Sequence, residues 1–160
     1  DNFNAIKNNF TETKTEIEDL QSNKASLNAN NDFSGNIVSD AELKDNSETV
    51  FAHGTTGGAI TLDHEKGHYQ TLTTNASITL SFLNLPATGK LGRIILDIGY
   101  ASTAHTITIP NSVKVSENVD GGDGSSKTIT CPTSGRYLYE FMSADGGTTI
   151  LMHQLGKNYI

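Results

Sequence analysis

Residues 1–27, DNFNAIKNNFTETKTEIEDLQSNKASL, carry apolar or core-tolerant side chains at spacings that alternate between three and four residues. This spacing is typical of the a/d seam of a coiled coil, in which the apolar stripe of one helix packs against the stripe of another. The stretch therefore predicts a helix over residues 1–28. Its a positions are Phe3, Phe10, Ile17 and Lys24, and its d positions are Ile6, Thr13, Leu20 and Leu27.

The apolar stripe of this predicted helix is narrow, because Asn, Lys, Glu and Asp fill most of the positions between the seam residues. A helix with such a stripe gains little stability alone and needs a partner surface. Strict a/d spacing favours self-association, and a tail that is docked on the rest of the chain or disordered is the alternative. Aromatic and β-branched a positions, with Thr at one d position, favour a homotrimer over a dimer. The predicted oligomerisation residues are Phe3, Ile6, Phe10, Thr13, Ile17, Leu20 and Leu27.

The rest of the chain divides into a connector and a head. Residues 29–58 are rich in Asn, Asp, Ser and Gly, which predicts an extended connector. From residue 59 to residue 160, short runs alternate apolar and polar side chains with the period of a half-buried strand. We therefore expect a mainly-β protein whose head is an antiparallel β-sandwich, jelly-roll-like, behind an α-helical coiled-coil stalk. The predicted strands are 60–62, 69–73, 78–82, 94–100, 105–109, 113–116, 127–130, 137–142 and 149–155.

Composition narrows the function classes. The net charge of −7 argues against nucleic acid and anionic membrane as partners, since both require a concentrated basic face. No apolar run approaches the roughly 20 residues that span a bilayer, so we expect no membrane insertion. The one cysteine, Cys131, lies in a strand-like run and is interpreted as a structural thiol.

One motif suggests metal chemistry. His64-Glu65-Lys66-Gly67-His68 matches HExxH, which on a helix places two imidazoles on one face for zinc, with the Glu as general base. The flanking residues alternate as strands, and Lys66-Gly67 is typical of a hairpin turn. On a strand the two His side chains would not converge as zinc binding requires. We therefore interpret the motif as a turn with exposed histidines and expect no metal site.

Other candidate sites are weaker. The run from Asp120 to Ser126 could offer oxygens to calcium but lacks the EF-hand pattern, so we interpret it as a loop tip. A glycosidase-type carboxylate pair would have to join Asp63 or Asp97 with Glu140, and spacing alone cannot bring them together. Tyrosines in alternating strands are more often core than saccharide site. The sequence thus predicts no catalytic residue and no cofactor, and it does not indicate an enzyme.

Several phrases in the head resemble a known family. In order they are LKDNSE (43–48), GAITLD (58–63), TTNASITLSFLNLPATGKLG (73–92), HTITIPNSVK (105–114) and DGGTTILMHQLGKNY (145–159). Together they resemble a β domain that recurs in virion proteins of tailed bacteriophages, chiefly tail fibres and related appendages. The resemblance covers residues 41–160. This chain departs from the family at Asn46, where Tyr is usual, and at Ile109 and residues 150–151, where Trp or Tyr are common.

The resemblance implies a structural virion protein, usually a homotrimer, that lies on the tail or capsid surface among other virion proteins. It carries no catalytic residues over to this chain. Three functions stay open at this point. The first is a trimeric tail fibre or appendage that presents its head, with a host cell-surface receptor or glycan as a further partner. The second is a capsid decoration or head-fibre protein, and the third is a carbohydrate-active or metal-dependent hydrolase.

Overall fold

The structure, a computed structural model, describes residues 2–22, 40, 42 and 44–157. The chain forms two compact units, residues 1–44 and residues 45–160. Among the described residues, the first unit contains one helix and the second contains the strands, which confirms the predicted mainly-β class with an N-terminal helix. The elements are α1 (Asn2–Ser22), β1 (Val50–Asp63), a 3₁₀ turn (His64–Lys66), β2 (Tyr69–Leu83), β3 (Gly92–Tyr100), β4 (Thr106–Thr108), β5 (Val113–Val115), β6 (Gly122–Asp123), β7 (Thr128–Thr130), β8 (Gly135–Ser143) and β9 (Ile150–Lys157).

Helix α1 has little stabilisation of its own. The hydroxyls of Thr11 and Thr15 each donate to the backbone carbonyl four residues earlier, at 3.0 Å, a local bond that slightly weakens a helix. An exposed ion pair, Lys14 with Glu18 at 3.7 Å, adds about 0.3–0.5 kcal/mol. Within the described residues of α1, the first turn has no acidic side chain and the last has no basic one, so neither turn adds a favourable charge to the helix dipole. The helix therefore depends on burial of its apolar stripe.

Strands β1 and β2 pair in parallel along their whole lengths, from Val50 opposite Tyr69 to Asp63 opposite Leu83. Only residues 64–68 connect them. Parallel neighbours normally need a crossover of about a dozen residues, so β1 must itself bend back to bring its end beside its own beginning. The two strands therefore form successive turns of a coil. The hairpin predicted around residue 67 is wrong, because the chain turns there without reversing its direction relative to β1.

Two glycines make the bend in β1. The register of β1 on β2 shifts just before Gly54 and just before Gly58, and these residues have φ angles of 76° and 75°. Glycine enters this left-handed region at little cost, and a bulge there bends the strand. The following turn lies tightly on the preceding segment, since a Cβ on Gly67 would stand 2.5 Å from the carbonyl oxygen of Thr49.

The fully buried side chain of Gln70 holds the interior of this coil. Its Nε2 donates to the carbonyl oxygens of Asp63 at 2.8 Å and Gly67 at 2.9 Å. Its Oε1 lies 3.0 Å from Nε2 of His53. The Asp63 carboxylate also accepts a bond from Asn84 Nδ2 at 2.9 Å, so the turn is tied to the end of β2 as well. One buried amide thus satisfies two turn carbonyls, that of Asp63 in a buried position and that of Gly67 in a partly buried one.

Strand β2 is the corner of the sheet. Its residues 69–74 pair with β3 and its residues 78–79 pair with β4, so it belongs to two arms of one sheet. The first arm continues through β8, β9 and β5, and the second through β7 and β6. The two ends come together, because a Cβ on Gly122 of β6 would lie 2.9 Å from Val115 Cγ1 of β5. The sheet is therefore nearly closed.

One continuous hydrophobic core fills the space enclosed by this sheet. Its largest fully buried side chains come from β8 of the first arm, and the second arm contributes Ile107 and Ile129. The ring centroids of Tyr100 and Tyr137 are 5.2 Å apart and perpendicular, an arrangement that favours aromatic pairs. The large, fully buried side chains of β8 are Tyr137, Tyr139 and Phe141.

Three further sequence predictions about the head need correction. Residues 50–58, assigned to the connector 29–58, belong to β1, while residues 29–39 lie outside the described residues. The predicted strands 69–73 and 78–82 are one bent strand. Half of the strand pairs are parallel, so the sheet is mixed and not the antiparallel arrangement of a jelly roll. The parallel pairs of β2 with β1, β3 and β4 follow from the bending of β1 and β2, which places parallel neighbours side by side without crossover helices.

Candidate assembly surfaces

The helix seam predicted from the sequence is exposed to solvent in the single chain. Phe3 and Phe10 are both 73% exposed, and Ile6, Thr13 and Ile17 are exposed as well. Ile6, Phe10 and Thr13 line one shallow recess together with Asn9, so these seam residues share a face. The side chain of Leu20 and the whole of Leu27 lie outside the described residues. The described seam is an apolar stripe that could associate with another copy.

A second apolar surface lies on the outer face of β3, β8 and β9. The inner sides of these strands carry core residues, whereas Ile95, Leu138 and Met142 on the outer side are only half-buried and Leu151 is 46% exposed. Leu91, 61% exposed, borders a recess of about 310 Å³ that Met142 and Leu151 also line. We refer to Ile95, Leu138, Met142 and Leu151, with the charged residues between them, as the outer face.

Two ion pairs lie within the outer face, and they use both arginines of the chain. Arg93 Nε on β3 lies 2.8 Å from Glu140 Oε1 on β8. Arg136 on β8 binds Asp97 on β3 with two parallel bonds of 2.5 Å, and the Tyr69 hydroxyl donates to the same carboxylate at 2.8 Å. Each pair joins the two strands. In one pair the arginine lies on β3, and in the other it lies on β8. The outer face therefore combines apolar side chains with charged ones that neutralise each other.

The Asp97 carboxylate is buried beneath Arg136. Burial would raise the pKa of Asp97, but the bonds from Arg136 and Tyr69 outweigh it and hold that pKa below its usual value. In turn, the carboxylate raises the pKa of Arg136. Because the folded-state pKa of Asp97 lies below the unfolded one, the pair stabilises the fold fully above the ordinary carboxylate pKa. That contribution is lost as the pH falls through the folded-state pKa.

We expect Asp97→Asn to lower the free energy of unfolding at pH 7 by about 2–3 kcal/mol, because it leaves a partly buried guanidinium unpaired. Water reaches part of Arg136, which is 54% exposed, and this limits the loss. The variant should also lose less stability than the unchanged protein between pH 5 and pH 3. Urea unfolding across this range, with the exposed Glu117→Gln as control, measures both effects. Equal acid sensitivity of the two proteins would contradict the assignment.

The HExxH residues form a short 3₁₀ turn and not a helix. Contrary to the sequence prediction, the imidazoles of His64 and His68 do come together, with ring centroids 4.5 Å apart. His68 Nδ1 also lies 4.0 Å from Glu48 Oε1. Burial, and then the neighbouring imidazole of His68, lower the pKa of His64. Within the described part of the chain, no three His, Cys, Asp or Glu side chains are arranged to hold a metal ion.

The remaining candidate residues are engaged in structural contacts. Asp120 binds Lys157 Nζ at 2.5 Å and Gln154 Nε2 at 3.0 Å, so its carboxylate is used within the fold and not held out in an open calcium loop. Cys131 is buried and donates its thiol hydrogen to the Thr133 carbonyl. Asp97 and Glu140, considered above as a glycosidase pair, are each paired with an arginine.

Three tyrosines considered for a saccharide site contribute to the core. Burial raises the pKa of Tyr100 and Tyr139 well above the usual range, so both hydroxyls are neutral. Tyr137 is fully buried, and its hydroxyl donates to the Thr133 carbonyl at 2.9 Å. These rings are unavailable for stacking on a sugar at the surface.

Comparison with protein-family models, curated proteins and solved structures finds no match to this chain. No helical segment of the described residues has the length and apolar character that a bilayer span requires.

The outer face was missed by sequence reasoning, although its signal was present. IILDIGY (94–100) and YLYEFM (137–142) are apolar on both sides of the strand, as expected where both sides are covered.

Proposed function

We propose that this chain is a structural subunit of a tailed-bacteriophage virion. In this proposal three copies associate through α1 as a coiled-coil stalk and present their β units as sandwich-type heads of a tail fibre or appendage. A host surface receptor or glycan is the partner that such a head would contact. The proposal joins the helix seam to the phage-like phrases in the head.

The observation that carries the proposal is the exposed seam of α1. Burying a Phe or Ile side chain contributes about 1.5–3 kcal/mol, so leaving several of them in water is unfavourable. The strict a/d spacing matches the seam of a second helix better than the broad apolar stripe that docking on a globular domain requires. Self-association accounts for both the exposure and the spacing.

The role of the head is display and adhesion. Both arginines are committed to ion pairs within the sheet, and Asp97, Glu140 and Asp120 all have basic partners. A set of groups that is mutually neutralised supports a structural role better than acid–base chemistry, which needs carboxylates with divergent pKa values facing a substrate. Three linked heads would also multiply a weak receptor contact through avidity.

Two measurements test this proposal. Light scattering of the full chain should give the mass of a trimer. A chain that begins at Phe33 should form an assembly with fewer copies. Gold-labelled antibodies against the chain should mark the tails of the virions that contain it. Labelling of the capsid shell would favour a decoration protein instead, and a monomeric full chain would contradict the trimeric stalk.

A further inference from the structure

We propose that the outer face of β3, β8 and β9 is where neighbouring heads contact each other, each copy meeting the next head to tail in a closed ring. The inference rests on the proposed trimer, because the helices bring the copies together. It adds a second interface, in the β unit, and it identifies the occupant of the outer face as another copy of this chain.

The outer face has the composition of a covered surface. A sheet with one side in water normally alternates apolar and polar side chains, whereas β3 and β8 carry apolar residues on both sides. Leu151 on β9 extends this apolar area, and the recess between it and Leu91 is lined almost wholly by apolar atoms. Arginine is also enriched at protein–protein interfaces, and the side chains of Arg93 and Arg136 on this face are each 54% exposed.

Charge favours a second copy as the occupant. The chain carries a net charge of −7, so copies repel each other wherever the acidic excess is presented. On the outer face the excess is absent, because Arg93 is paired with Glu140 and Arg136 with Asp97. A neutral face offers no net charge that would recruit an oppositely charged foreign partner, and it is the part of the surface where identical acidic copies can approach each other.

The two ends of one row across the face have opposite charges. Lys114 of β5 is opposite Leu151, Leu151 is opposite Met142, and Met142 is opposite Arg93. At the far end of this row, the backbone carbonyl of His68 accepts a hydrogen bond from the N–H of Ile95 on β3. Glu48 lies beside the imidazole of His68. The row thus begins with an exposed lysine and ends with an exposed glutamate.

This polarity determines the symmetry of the contact. A head-to-tail contact places Lys114 of one copy near Glu48 of the next, which pairs opposite charges, and with the three-fold rotation of the proposed trimer it closes into a ring. A two-fold contact at either end would instead oppose like charges. The face involves short segments of three strands, fewer than the roughly 20–30 residues a side of a standard interface. Isolated heads should therefore associate weakly, and the helix should raise their effective concentration.

Cysteine cross-linking of the full chain tests the contact. Glu48→Cys, Lys114→Cys and the double variant are treated with a short bis-maleimide and separated under denaturing conditions. The double variant should give covalent dimers and trimers, and each single variant should give no more cross-linking than the unsubstituted chain, whose Cys131 is buried. Cross-linking by Lys114→Cys alone, equal to that of the double variant, would indicate a two-fold contact and overturn the ring.

A matched pair of substitutions in the double-cysteine background tests the apolar part. Leu151→Glu should reduce cross-linking at least about tenfold, because it places a carboxylate in the contact. Leu83→Glu should leave it unchanged, since Leu83 is similarly exposed, at 50%, but lies at the end of β2. Circular dichroism of both variants checks that the fold is retained.

Native mass separates the two proposals. A trimeric mass without cross-linking in the double variant would overturn the head contact and leave the trimeric stalk standing. A monomeric mass would overturn both. Equal cross-linking in Leu151→Glu and Leu83→Glu would show that the outer face is not part of the contact.

Discussion

Replacing Phe10 with Asp is expected to convert the proposed trimer of the full chain into monomers. Phe10 occupies a central a position of the predicted seam and is 73% exposed in the single chain, so its ring has little intrachain packing to lose. In the proposed trimer the substitution would remove about 1.5–3 kcal/mol of burial per copy and place three carboxylates close together on the axis. The dissociation concentration should rise at least about hundredfold. Light scattering or sedimentation over a dilution series measures it.

The matched control is Asn8→Asp, which adds the same charge two residues earlier. Asn8 occupies the f position of the heptad, on the side of the helix away from the seam, and is exposed. It should leave the trimer intact. If Phe10→Asp and Asn8→Asp give the same mass, the helix seam does not hold the copies together. If Phe10→Asp still forms the trimer, the heads and not the helix dominate assembly.

The second large effect is expected for Gln70→Leu, which should lower the free energy of unfolding by about 3–5 kcal/mol. Leucine has a similar volume, so packing changes little. The carbonyls of Asp63, in a buried position, and Gly67, in a partly buried one, would lose their donor, at about 1–3 kcal/mol each. His53 would also lose its partner. Urea unfolding at one fixed chain concentration measures the change.

Gln154→Leu is the control for this prediction. Gln154 also makes two side-chain bonds, both to Asp120, but it is only half-buried, so water can replace them. We expect a loss of about 1 kcal/mol. A Gln70→Leu variant as stable as Gln154→Leu would contradict the coil geometry, because a hairpin between β1 and β2 would leave the turn carbonyls in water.

The helix could be predicted from the sequence because its signal is local. Spacings of three and four residues report a helix face within about two turns, so the seam residues from Phe3 to Ile17 were identified without knowledge of the rest of the chain. Most strands were recognised for the same reason, since alternation reports which side chains share a face. β6 was missed, because Gly122–Asp123 is too short to show any period.

Pairing between the strands could not be predicted in this way. Alternation specifies the side on which a residue lies but not the neighbouring strand or its direction. Parallel pairing of β1 with β2 depends on two glycines with positive φ and on the contact of Gly67 with Thr49, residues far apart in sequence. Turn chemistry alone favoured a hairpin at Lys66-Gly67, and the long-range contacts overrode it.

For the outer face too, a local sequence signal and a long-range contact can be told apart. The apolar runs of β3 and β8 held a signal that sequence reasoning missed, and only the register of β3 on β8 brings Arg93 to Glu140 and Arg136 to Asp97. The sequence by itself determined the helix, its seam and the β character of the head, because these depend on neighbours within a few residues. Only the tertiary structure decided the coil, the bent sheet and the neutralised outer face, since these arise from contacts between residues that are distant along the chain.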